Sequence, residues 1–264
     1  MIPRLIALVL GYGFLYVPLI SVVIYSFNAS RLVTVWGGFS LHWYSALAQN
    51  EQLLSAAGLS LRIATVTACC ATVLGTCAAF LLERTQGGVL RGFVAGSVAA
   101  LLVIPEVILG FGLLLTFVTL ESLSGWPAGR SSVTVTIAHI TLSLAYVTVV
   151  VRSRLIALEP TLEEAARDLG ATPARVLRTI TLPLLAPALA AGWLLAFTLS
   201  LDDLVVASFA AGPASTTLPM VVYGSVRLGV SPQINALATV MVGIVTLGIF
   251  AATWLMMRRG RHAS

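Results

Sequence analysis

T-L-E-E-A-A-R-D-L-G-A-T-P-A-R-V-L-R-T-I-T-L-P, Thr161 to Pro183, is the stretch that decides the fold. Its spacing predicts two short amphipathic helices joined by a tight turn. Thr161 and Glu164 stand at capping-box spacing, in which each side chain satisfies a free backbone N–H at a helix start. Leu162, Ala165, Ala166 and Leu169 recur at i, i+3, i+4 and i+7, a narrow apolar face, and Glu163, Arg167 and Asp168 fall on other faces. Gly170 follows where a left-handed residue closes a helix without a Cβ penalty. Thr172 is the next N-cap candidate, with Pro173 at the first helical position. Val176, Leu177 and Ile180 form a second apolar stripe, and Pro183 is expected to hold Leu182 outside the helical region.

Such a unit also suits an ordinary helical hairpin, or a DNA-binding helix–turn–helix. The flanks decide against DNA. Val133–Val151 before it and Leu184–Leu201 after it are apolar runs of membrane-span character.

Composition gives the same class. Only 9% of residues are charged and 58% are hydrophobic, and the mean hydropathy is +1.00, far from the soluble range. The net charge of +5 comes from fifteen basic residues, all arginine, gathered at segment ends. That placement does not suggest nucleic acid. Six spans are expected, at about 5–27, 59–82, 93–118, 133–151, 184–204 and 234–257, each near the ~20 residues that cross a hydrocarbon core. They form one transmembrane domain, 1–264, with the loop at 161–183. A cytoplasmic N-terminus places Arg4, Arg84, Arg91, Arg152, Arg154, Arg167, Arg175, Arg178, Arg258, Arg259 and Arg261 inside. Arg31, Arg62, Arg130 and Arg227 then lie outside or near the outer face. The positive-inside rule favours that topology, with both termini and the helical loop in the cytoplasm. The first span is too long for a signal-peptide core and lacks an A-x-A site. Phe39–Leu47, with Trp43, reads as an interfacial aromatic segment.

Familiar catalytic sites are missing. Cys69, Cys70 and Cys77 share one span and have no histidine or carboxylate at ligand spacing, so they read as packing residues. His42, His139 and His262 are far apart in sequence and assemble no nucleophile–base set. A chain without lysine holds no G-x-x-x-x-G-K-[ST] phosphate loop, so any ATP is bound by another polypeptide.

Three carboxylates fall within apolar sequence. Glu106 follows Pro105 in I-P-E-V-I-L-G-F-G, about a dozen residues into the third span at ~1.5 Å per residue. A charge there costs roughly 2.5–3.5 kcal/mol and faces protein or a wet cavity. It either pairs locally at a kink or lines a pathway. Asp202 and Asp203 interrupt apolar sequence that continues through Leu204–Ala211. Neighbouring helical residues point ~100° apart, so at most one of the two faces straight into a pathway, and the other bonds backbone or a neighbouring helix.

Glu164-Ala165-Ala166, Gly170, Ile180, Leu182 and Pro183 match E-A-A-x3-G-x9-I-x-L-P, and the chain thereby resembles bacterial ABC importer permeases. The likeness extends to Ile104–Val107, Gly192–Phe209, Gly212–Met220 and Val226–Thr239, which are similar to the second permease of putrescine/spermidine importers. Gln233 departs from the glutamate expected there. The resemblance implies an all-α bundle of six spans with the type I importer fold, in a bacterial inner membrane. It implies a loop that docks on a cytoplasmic ATPase dimer, by a helix-in-groove contact. The further implied partners are a homologous permease and an outside substrate-binding protein. The chain itself is no enzyme and binds no cofactor, and Glu106, Asp202 and Asp203 are the candidate pathway acids. An ion-coupled secondary transporter is the rival from another class, and a non-transporting membrane scaffold is a third. Neither gives the E-A-A loop a task.

Overall fold

The computed structural model describes residues 2–32, 35–85, 87–228 and 232–260. Among these the chain is helical, with one isolated bridge between Asn28 and Phe39. Two compact units divide it, one formed by residues 1–55 with 222–264 and the other by residues 56–221.

In the first unit, helices α1 (Ile2–Tyr25) and α2 (His42–Ala48) pack on α12 (Pro232–Gly260). The link from α1 to α2 is organised by buried Asn28. Its Oδ1 accepts from the Ser30 and Gly37 amides, and its own carbonyl accepts from the Trp43 indole at 2.7 Å. Trp43 thus has a structural task in this loop. Gln233 Oε1 accepts from Asn50 Nδ2 at 3.2 Å, so a neutral amide partners the position where a glutamate was expected.

The second unit carries the loop. Helix α3 (Glu51–Arg84) enters it and is followed by α4 (Val89–Val103), α5 (Glu106–Ser124) and α6 (Ser132–Ile156). Then come α7 (Pro160–Asp168), α8 (Pro173–Val176), a π-helical turn (Leu177–Thr181), α9 (Leu182–Asp202) and α10 (Val205–Ala210). Helix α11 (Leu218–Leu228) runs on past its limit. Helix α6 is the spine. Ser131 and Thr134 close a capping box at its start, and the Thr134 hydroxyl also donates to the Ala210 carbonyl at 2.8 Å. Its strongest partner is α9, which offers a small-residue face of Ala188, Gly192, Ala196 and Ser200, all buried. In lipid, where hydrophobicity does not drive helices together, such stripes let backbones approach closely. A Cβ at Gly75 of α3 would lie 2.9 Å from Val147 of α6, and one at Gly192 would lie 3.3 Å from it. A second core joins Phe117 of α5, Val135, Ala138 and Leu142 of α6, and Val206, Ala207 and Ala210 of α10.

Among the described residues, five helical stretches are long and apolar enough to cross a membrane: Leu8–Tyr25, Glu51–Arg84, Glu106–Ser124, Ser132–Ile156 and Pro173–Asp202. Two expected boundaries need correction. The third span, 93–118, is not one helix: α4 ends at Val103 and α5 begins at Glu106, because Ile104 and Pro105 are extended (ψ 129° and 137°). The helix that holds the fifth does not start at Leu184, since helical backbone runs from Pro173 through the π turn to Asp202.

Candidate functional site

The loop between α6 and α9 is built on two prolines and a glycine. Helix α7 starts at Pro160, with Glu159 at the N-cap and no side-chain cap bond. The expected Thr161–Glu164 capping box is therefore not formed. Proline needs no N–H and carries a preset φ, so it takes the first helical position and moves Thr161 inside the turn. The C-terminus follows expectation. Gly170 has φ +83°, its N–H donates to the Arg167 carbonyl at 2.9 Å, and the Ala171 N–H donates to the Ala166 carbonyl at 3.0 Å. That pair of bonds is a Schellman closure. Thr172 is the N-cap of α8 and Pro173 its first residue, without a side-chain cap bond.

Leu182 is the second correction. It is helical (φ −64°, ψ −43°) although it precedes Pro183, and its N–H bonds to the Leu177 carbonyl five residues back. The π turn absorbs the proline without ending the helix.

The apolar face of α7 is left open. Leu169 is 90% exposed and Leu162 50% exposed, with Ala165 exposed and Ala166 half-buried. Glu164 and Pro183 are exposed, and Ile180 and Leu182 are half-buried. Glu163, which the helical pattern placed away from the apolar stripe, is instead 7% exposed. Its Oε1 accepts from Arg84 Nη2 of α3 at 2.5 Å and from the Thr181 hydroxyl at 2.8 Å. Arg167 Nη2 stands 3.7 Å from its other oxygen. Burial alone would raise the Glu163 pKa, but the hydrogen bonds from Arg84 and Thr181 and the charges of Arg84 and Arg167 outweigh it. The carboxyl is held below its ordinary value.

The three intramembrane acids are not brought together by any contact. Glu106 is exposed at the first position of α5. Asp202 is exposed in the last turn of α9. Asp203 is buried and turned to the protein: Oδ1 accepts from the Ala207 amide at 2.8 Å, capping α10. The same oxygen lies 3.5 Å from His139 Nε2, and His139 Nδ1 is 2.7 Å from the Ser200 hydroxyl. His139, Ser200 and Glu163 did not stand out among candidate residues in the sequence. The available signal for His139 was an ionisable group inside an apolar span, which calls for a partner.

The family of binding-protein-dependent transport system inner membrane components matches residues 71–259. This chain belongs to that family. The permease is 54% identical over 257 residues to the putrescine transport system permease protein PotI of Escherichia coli (strain K12), covering 97% of this chain and 91% of the relative. It is 41% identical over 250 residues to the spermidine/putrescine transport system permease protein PotC of the same strain, covering 94% and 90%. Among solved structures, a chain of a bacterial ABC transporter that imports the acidic polysaccharide alginate superimposes with a TM-score of 0.73. That match has 20% identity and covers 97% of this chain and 94% of the other. A chain of the MetNI methionine ABC transporter gives a TM-score of 0.61 at 20% identity, covering 78% and 94%. The permease therefore has the fold of ABC importer permeases.

Proposed function

We propose that the permease forms half of the pathway of an ATP-driven polyamine importer, taking putrescine- or spermidine-like cations. It pairs with a homologous permease, receives cargo from an outside binding protein, and docks an ATPase dimer on Thr161–Pro183. The reading has one domain of six crossings, α12 supplying the last and α4 with α5 a single broken one, and both termini in the cytoplasm. ATP is bound by the ATPase, and this chain supplies no catalytic group or cofactor site. The exposed apolar face of α7, with Leu169 at 90% exposure, is the observation that supports docking most directly. With Leu162 and Ala165 exposed on the same face, Leu169 belongs to a contiguous apolar patch, the kind that marks an interaction site. Ala165 and Ala166 lie on that face and Gly170 closes its helix, and Glu164, Ile180, Leu182 and Pro183 are the further loop residues assigned to docking. The likeness to PotI and PotC over nearly the whole chain supports the cargo class.

Asp202 and Glu106, both exposed, are the acids free to meet a passing cation, and Asp203 holds the backbone beside Asp202. One carboxylate at ~4 Å attracts a unit cation by about 4 kcal/mol at an effective dielectric of ~20, which offsets part of its dehydration without trapping it. Proteoliposomes holding the complete complex and its binding protein test the proposal. Vanadate-sensitive, ATP-dependent uptake of labelled putrescine is expected, reduced by Asp202→Asn or Glu106→Gln with assembly intact. Uptake without ATP, or normal uptake in both variants, refutes the respective part.

A further inference from the structure

We propose that Glu163 is the positioning residue that passes movement of the docking loop to α3, an inference that rests on the docking role proposed above. The loop has covalent routes into two long helices: back through Ile156–Glu159 into α6, and forward through α8 and the π turn into α9. Helix α3 has no chain connection to it. Among the described residues, the hydrogen bond from Arg84, the last residue of α3, to Glu163 is what joins the two. A cleft of about 410 Å³, lined by Phe80, Arg84, Glu163, Pro173, Val176 and Thr181, lies between the loop and the end of α3.

The carboxylate suits the task because it is held from both sides. Arg84 grips Oε1 from α3, and Thr181 grips the same oxygen from the π turn that leads into α9. The Glu163 side chain is 9% exposed and bonded on two faces, while Arg84 is 44% exposed, so the carboxylate is the fixed member of the pair, unlike either group of a solvated surface pair. The neighbouring Glu83–Arg152 contact between α3 and α6 is longer, 3.4 Å, with side chains 31% and 41% exposed, and it bypasses the loop. Cutting the Glu163 contact leaves α6 and α9 attached to the loop by the chain itself. Helix α3 keeps its packing on α6 and α9 through Ala68, Ala71 and Ala79, but its end loses the direct tie to the loop, and ATP is spent with less transport.

The test uses the assembled complex with an environment-sensitive fluorophore on Cys77, exposed on α3 about two turns before Arg84, in a Cys69→Ala, Cys70→Ala background. Trapping with ATP and vanadate is expected to shift the emission. Glu163→Gln and Arg84→Gln should each diminish the shift at least about fivefold, while the same label at Ala190→Cys on α9 responds in full. Putrescine imported per ATP should fall at least about fivefold, the low end of coupling between sites. The double variant should be no worse than either single one, as for one shared contact. A Cys77 shift that is undiminished in Glu163→Gln, is diminished there but full in Arg84→Gln, or is missing from the unmodified permease overturns the proposal. Arg84→Gln lies outside the loop and keeps the test decisive if Glu163→Gln sheds the ATPase. Docking itself is judged separately: an ATPase that stays bound to Leu169→Asp refutes that reading, whatever Cys77 does.

Discussion

Replacing Gly170 isolates the backbone contribution of one turn to partner binding. Its φ is +83°, and an added Cβ would meet nothing within 4 Å. Any effect of a side chain there is conformational strain, with no clash to confuse it. The left-handed region costs an L-residue about 1–2 kcal/mol, more for a β-branched one, and less for asparagine, whose side chain bonds locally. Helix α7 has nine residues, too few to hold itself in water, so a strained free loop relaxes by fraying. Docking must then rebuild the Schellman turn, and the apparent Kd for the ATPase carries that cost, a weakening of about 5- to 30-fold. Permease in nanodiscs, titrated with labelled ATPase and followed by anisotropy, measures it. The expected order of weakening is Gly170→Asn, then Gly170→Ala, then Gly170→Val, with membrane insertion unchanged in all three. An unchanged Kd for Gly170→Val, or Gly170→Asn weaker than Gly170→Val, refutes the link between this turn and docking.

Two further outcomes follow from single side chains. Because the folded-state pKa of Glu163 lies below its unfolded value, its stabilisation is complete above the ordinary value of 4.5 and is lost as pH falls through the lowered one. The Tm gap between the wild type and Glu163→Gln, measured in detergent, should be full at neutral pH and close in acid; a gap that persists or widens in acid contradicts the assignment. Asp203→Ala removes the cap of α10 and leaves His139 Nε2 facing an apolar methyl, at a cost of about 0.5–2 kcal/mol for the cap alone. Asp203→Asn keeps an acceptor for the Ala207 amide and should recover most of the lost thermal stability, whereas equal losses would mean that charge beside His139, not capping, is what Asp203 supplies.

Local chemistry was legible wherever its cause lay within a few residues. Gly170, Thr172 and Pro173 occupy the turn, cap and first-turn positions their side chains favour, and the apolar stripe of α7 is open as its spacing suggests. Contacts across the chain were not legible. The helical pattern set Glu163 off the apolar face of α7, while the partner that buries it, Arg84, is 79 positions away. Asp202 is exposed and Asp203 turned to backbone because α9 ends between them: Asp203 is extended (ψ 122°) and outside the helix. The histidine facing Asp203 came from α6, beyond any periodicity in α9.

Pro183 shows why a correct local rule still misplaced a boundary. Proline disfavours helical backbone in the residue before it and removes one i→i−4 bond, whose carbonyl in an α-helix would belong to Thr179. Over Leu177–Thr181 the bonding instead spans five residues, and Leu182 bonds to Leu177, so the ladder reaches the proline already displaced from the carbonyl it would strike. π turns of this kind tend to mark functional sites. Here the turn joins α8 to α9 without a break, and the Thr181 hydroxyl on its last residue holds Glu163. The loop therefore enters α9 by continuous helical backbone, from Val176 of α8, 2% exposed, through the π turn to Leu182.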